Sequence, residues 1–214
     1  MCSSDLTNMD ILPIHRGGNY HDMEADQENP SATSLRNLMA NREDWHAYVP
    51  TEAHKAFQGA TLHDLHWGKK AILAKLRTMT DAEFEALPYG AEGLWRKLMH
   101  ASRSQATLED ILTATKSKRY TRTRLDRMVM CAFLGITEQM LASPAPYVRV
   151  LAFNDKGRQI LKKARQAGNF PNIGEIQQDP YQALENRCGD LYALFSDMPE
   201  APGAEQTQRV YYRS

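Results

Sequence analysis

From Thr51 onward, apolar residues recur every three or four positions, the period of one helix face, beginning with Leu62, Leu65, Ile72, Leu73 and Leu76. Thr80-Asp81-Ala82-Glu83 has the hydroxyl-to-glutamate spacing of a capping box and predicts a short helix ending near Leu87-Pro88. A helix is predicted over residues 91–101 with Leu94, Leu98 and Met99 inward, and Thr107 caps the next. Leu125, Met128, Val129 and Ala132 share the buried side of another, which stops near Gly135. Residues 143–146 form a turn cluster. Residues 147–153 are rich in β-branched side chains and read as a strand or as a buried helix start. A helix with Ile160, Leu161 and Ala164 on one side follows, and residues 181–195 make the last one. Before Thr51 the pattern is thinner. Residues 11–14 are a short apolar run that fits a buried strand, residues 23–30 a polar loop, and Leu35, Leu38 and Met39 a helix led by Ser31. No internal repeat is visible.

The 214 residues are enough for one large or two small domains, and 42% apolar with 24% charged residues is ordinary for a soluble globular protein. The longest nearly unbroken apolar run, residues 128–136, is under half of a membrane span, and no charged-then-apolar segment resembling a signal peptide opens the chain. A cytoplasmic protein without membrane contact is expected. Cys2, Cys131 and Cys188 are scattered and form no CxxC pair, which argues against a disulfide framework or a structural zinc site; Cys131 reads as a small core residue. His63 and His66 stand at i, i+3, but HExxH spacing and a third ligand are lacking, so no metal is expected. Walker A, GxGxxG and nucleophile-elbow patterns are absent from the sequence. Residues 1–6 read like the translated end of a sequencing adapter and are expected to be non-native.

Charge changes the picture at one place. In a chain of zero formal net charge, residues 116–127 hold six basic side chains and one acid. On a helix, Lys116, Arg119, Tyr120, Thr123 and Arg127 would share a face, flanked by Arg122 and Arg124. Guanidinium groups pair with phosphate and aromatic planes stack on unpaired bases, so the run suits nucleic acid; a solvated helix face has the same composition. The hydroxyls of Ser31 and Thr33 at a helix start, with Arg36 one turn on, fit either capping or phosphate binding. Arg16 before Gly17 and Gly18 allows close backbone approach to a ligand, as would a plain turn.

Taken together and in order, several segments resemble the later half of the bacterial tRNA(Met) cytidine acetate ligase family. They are Arg16-Gly17-Gly18 with Tyr20-His21-Asp22, residues 31–36 (SATSLR), Leu87-Pro88-Tyr89 with Glu92-Gly93-Leu94, residues 118–125 (KRYTRTRL), and residues 146–151 (PYVRVL) with Phe153-Asn154 and Gly157-Arg158. The resemblance spans residues 10–195 and implies a mainly α fold: a helical domain preceded by a short remnant of an α/β Rossmann-like nucleotidyltransferase domain. It divides the chain into that remnant (1–44), a helical tRNA-binding domain (45–198) and a loose tail (199–214). It implies an enzyme that uses ATP, with Mg, to activate acetate as acetyl-adenylate and acetylates the wobble cytidine of elongator tRNA(Met). Carried over by match, Arg16, Gly17, Ser31, Thr33 and Arg36 would bind ATP, and Lys118, Arg119, Tyr120, Arg122, Arg124 and Arg127 would bind tRNA. The family's HxGH signature does not occur in this sequence, and the Arg16–Tyr20 stretch is one residue shorter than the family pattern. Accordingly, this chain alone is expected not to form acetyl-adenylate. The alternatives are a stand-alone tRNA-binding module and a helical protein whose basic helix meets an acidic partner.

Overall fold

A computed structural model describes residues 12–13, 23–26, 30–143, 147–168 and 180–213. Its contacts divide the chain into two compact units, Met1–Leu62 and His63–Ser214.

In the first unit, α1 (Ala32–Ala40) is capped by Ser31, and a 3₁₀ turn (His46–Tyr48) precedes α2 (Thr51–Phe57). Trp45 stacks on His46 at 4.2 Å and meets His54 and Phe57 edge-on, while His54 Nε2 lies 3.0 Å from the carbonyl of His46. These ring contacts join residues 45–57 into one cluster, and the division falls after Leu62, whereas the sequence placed a seam at 44/45. Of the run at 11–14, only Leu12 and Pro13 are described; they form no regular element, and Leu12 is exposed.

The second unit is helical for the same reasons that made it legible. Asp64 caps α3 (Leu65–Thr78) through the amide of His66, and the Thr80–Glu83 capping box opens α4 (Asp81–Glu85). α5 (Leu94–Ser104) starts after the left-handed Gly93, Thr107 caps α6 (Leu108–Thr115), and Thr121 caps α7 (Arg122–Leu134), which the left-handed Gly135 terminates. α8 (Glu138–Ala142) follows, then β1 (Ala152–Asn154), α9 (Asp155–Gln166), α10 (Pro180–Tyr192), α11 (Ala204–Thr207) and β2 (Tyr211–Arg213). α5 packs on α4 and α6, and α7 lies against α3, α6 and α10. Between them Ile72, Leu76, Phe84, Leu94, Leu98, Ile111, Leu125 and Met128 are fully buried. Cys131 belongs to this core, and burial pushes its thiol pKa up.

The protein is mainly α, as expected. Three elements differ from the sequence pattern. Leu62 and Leu65 are exposed, whereas Ile72 and Leu76 of that run are fully buried and Leu73 packs partly against the core. The expected strand at 147–153 contracts to β1, which pairs in parallel with β2, Phe153 opposite Tyr212. Residues 199–213, expected to be loose, therefore contain a helix and a paired strand.

Candidate functional site

The basic run does not form one helix. α6 ends at Thr115 with Lys116 in an extended C-cap conformation, the amide of Tyr120 turns back to Ser117 O at 3.2 Å, and α7 begins only at Arg122. The reason is local: Thr121 is extended (ψ 155°) and its hydroxyl accepts from the amide of Arg124, the geometry of an N-cap. Lys116, Arg119 and Tyr120 therefore belong to a loop, and the outward face of α7 carries Thr123 and Arg127 alone from the expected stripe.

Tyr120 is the clearest departure from the expected RNA contacts. It is 9% exposed, and its hydroxyl donates to Glu92 O at 3.1 Å, so its ring is a packing element rather than an open stacking surface. Arg124 lies over that ring at 5.3 Å and donates from Nε to Tyr89 O at 2.9 Å. Arg119 pairs with Glu92 at 2.7 Å. Arg122 makes a two-pronged pair with Glu109, at 2.6 and 2.8 Å, and holds Asp126 one turn on at 2.8 Å. The hydrogen bond from Arg122 holds the Glu109 carboxyl below the usual carboxylate range, and the two carboxylates push the Arg122 pKa up in return. Among the described residues, Lys118 and Arg127 are the two cations of the expected set that remain exposed without a carboxylate or carbonyl partner.

Those contacts fasten the run to residues 87–93. That loop holds two non-glycine residues in the left-handed region, Tyr89 (φ 64°) and Glu92 (φ 63°), followed by Gly93 (φ 80°). Left-handed backbone at a bulky side chain costs on the order of 1 kcal/mol and persists only where neighbours fix it. Here Arg124 holds the carbonyl of Tyr89, and Tyr120 and Arg119 hold Glu92. Gly90 is required for another reason: a Cβ there would lie 2.9 Å from Leu87 O and 3.0 Å from the Cβ of Trp95. Two segments far apart in sequence thus form one structural unit.

The same fold adds cations that the sequence pattern did not single out. Lys97 donates to Lys116 O at 3.3 Å, beside Lys118, and Arg96 lies over the Trp95 ring at 5.0 Å. Their position on the first turn of α5, next to the loop, is a tertiary fact with no local sequence signal.

Of the expected ATP contacts, Arg16 and Gly17 lie outside the described residues. Ser31 caps α1 by accepting from the amide of Ser34 at 2.9 Å, and Ser34 Oγ donates to Ser31 O at 2.8 Å. Ser34, which the sequence reading left without a role, is fully buried; Thr33 is half-buried and Arg36 exposed. His63 stacks on Tyr192 at 4.1 Å and lies 3.1 Å from Glu200, whereas His66 meets Trp67 edge-on, so the two imidazoles serve different contacts. No helix among the described residues is long and apolar enough to cross a membrane.

The HIGH Nucleotidyl Transferase family matches residues 3–207, and the chain belongs to that family. Among its relatives, the tRNA(Met) cytidine acetate ligase of Alkaliphilus metalliredigens is 31% identical over 88% of this chain and 50% of its own length. That of Limosilactobacillus reuteri is 28% identical over 90% and 53%. The resemblance drawn from the motifs is thus borne out. The chain spans about half the length of the curated relatives it matches. In fold it matches Thermotoga maritima TmcAL in its apo crystal form, with a TM-score of 0.77 and 19% identity over 92% of this chain and 53% of that one. A second crystal form of that protein, bound with alpha-thio ATP, matches with a TM-score of 0.71 and 20% identity, over 85% of this chain and 52% of that one.

Proposed function

We propose that this chain provides the tRNA-handling part of an ATP-dependent tRNA(Met) cytidine acetate ligase. In that reaction the acetate carboxylate attacks the α-phosphorus of ATP, pyrophosphate leaves with Mg, and the N4 amine of the wobble cytidine displaces AMP from the acetyl-adenylate. The observation that carries the reading is the junction in which the residues of KRYTRTRL hold those of LPY and EGL, two motifs of the resemblance, in one unit.

Within it the basic residues divide their work. Arg119, Arg122 and Arg124 shape the junction through their own partners, with Tyr120 as the buried post. Lys118 and Arg127, joined by Arg96 and Lys97, face solvent and meet the phosphates of elongator tRNA(Met). Ser31, Thr33 and Arg36, with Arg16 and Gly17, are assigned to ATP: hydroxyls, a helix start and a guanidinium suit the charge that develops on departing pyrophosphate. Residues 1–44 are read as the part derived from the nucleotidyltransferase domain, and the cytoplasm as the compartment. Since no HxGH signature occurs in the sequence, the chain by itself does not form acetyl-adenylate.

Filter binding of elongator tRNA(Met) across a salt series tests the RNA part of the reading: affinity should fall steeply with salt. Lack of binding at low salt would overturn it. Acetate-dependent exchange between ATP and pyrophosphate should stay at background with this chain, and exchange above background would refute the assignment of the chemistry elsewhere.

A further inference from the structure

The densest group of cations without ion-pair partners among the described residues is on α9, away from the junction. Its twelve residues hold Lys156, Arg158, Lys162, Lys163 and Arg165 against one acid, Asp155, so that the rest of a neutral chain is net negative. None of the five forms an ion pair among the described residues. A merely solvated helix face ordinarily alternates acids and bases at i, i+4; here the alternation is missing.

The orientation of α9 is fixed by packing. At 100° per residue the five cations sweep half of the helix, and Gly157, Ile160, Leu161 and Ala164 occupy the other half. The first turn of the apolar side meets β1, where a Cβ on Gly157 would come 2.9 Å from the Cβ of Phe153; further on, Leu161 and Ala164 are half-buried and Ile160 is exposed. Arg158 lies over the Tyr212 ring at 4.6 Å, and that ring packs on Phe153 at 5.3 Å. The Tyr212 hydroxyl donates to Asp155 at 2.7 Å, engaging the one acid of the helix. The Tyr212 ring remains 38% exposed. Cations without carboxylate partners among the described residues, beside a half-exposed aromatic ring, suit a nucleic-acid backbone with accessible bases.

We propose that the cationic half of α9, with Tyr212 at its edge, is a second RNA-backbone surface, stronger than the junction; the inference rests on the reading of the chain as a tRNA-handling protein. An anionic membrane would also attract lysines. An interfacial helix, however, needs a broad free apolar face to bury; on α9 Gly157 meets Phe153 and Leu161 and Ala164 are half-buried, which leaves the exposed Ile160 as the free apolar side chain.

The test compares the whole chain with two variants, measuring tRNA binding by fluorescence anisotropy from low to moderate salt. Lys162→Gln/Lys163→Gln/Arg165→Gln should weaken binding at least about tenfold and flatten the log K against log[salt] slope by about two. Lys162→Arg/Lys163→Arg should keep the wild-type slope, and far-UV circular dichroism should be unchanged in both. An unaltered isotherm for the glutamine variant overturns the inference, while loss of binding in Lys118→Gln/Arg127→Gln alone would leave the reading of the junction standing. Failure of the wild-type chain to bind tRNA at low salt removes both. Sedimentation with phosphatidylserine-containing vesicles that depends on the same lysines, with tRNA binding untouched, would assign the surface to a membrane and overturn the inference as well.

Discussion

The α6–α7 junction and α9 are both rich in arginine and lysine, yet their cations are in opposite states. At the junction Arg119, Arg122 and Arg124 have carboxylate or carbonyl partners inside the fold, and the helix behind them rests on fully buried Leu125 and Met128. On α9 no residue is buried, and no cation has an ion-pair partner among the described residues. Clustering of charge along a sequence therefore does not measure the charge available to a ligand. Availability is set by whether acids from other elements reach the cluster, as Glu92 and Glu109 do at the junction.

The contrast can be broken most sharply in the core. Leu125→Ala should destabilise the protein by roughly 2–5 kcal/mol in chemical denaturation, because it leaves a cavity beneath α7. Leu161→Ala on half-buried α9 should cost less than about 1 kcal/mol. Equal losses would mean that α9 is as deeply anchored as α7.

A smaller effect separates the two sets of cations. Arg122→Gln should lower stability by roughly 0.5–1 kcal/mol, the range for a partly exposed pair with good geometry, and should leave the salt slope of tRNA binding nearly unchanged. A slope as flat as that of the α9 variant would show that Arg122 exchanges its carboxylates for phosphate. The same pair has a pH signature. Glu109 is held below its ordinary pKa, so its contribution is complete above the unfolded value near 4.5 and fades as pH falls through the lower folded value. The stability gap between wild type and Arg122→Gln should accordingly be constant near neutrality and close in acid; a gap that widens in acid would contradict the pairing.

The smallest effect concerns strain. Tyr89→Gly relieves a left-handed tyrosine but frees the unfolded chain, and the two effects nearly cancel, leaving a change within about 1 kcal/mol. A larger destabilisation, seen as a drop in melting temperature, would mean that the half-exposed Tyr89 side chain itself holds the junction.

Much of the fold was legible because its signals are local. The Thr80–Glu83 capping box, the Thr107 cap, the glycine stop at Gly135 and the apolar face of Leu125, Met128 and Val129 each act within one or two turns. The site was legible only in part. Residue spacing placed Tyr120 among the cations as an open ring, because on a continuous helix it would face outward; the cap at Thr121 breaks that helix and sends the ring inward to Glu92. The residues from 199 onward look loose by composition, yet Tyr211–Arg213 form β2 because their backbone groups find β1, a partner some sixty residues earlier.

By itself the sequence determined the helical elements, their caps, the family and the local clustering of positive charge, all of which depend on neighbours along the chain. Apart from the Arg122–Asp126 pair within one helical turn, tertiary structure decided which positive charges are neutralised. The carboxylates that engage Arg119 and Arg122 come from the loop before α5 and from α6, and none approaches the cations of α9 among the described residues. Electrostatic pairing depends on distance in space, and the sequence between two charges does not fix that distance.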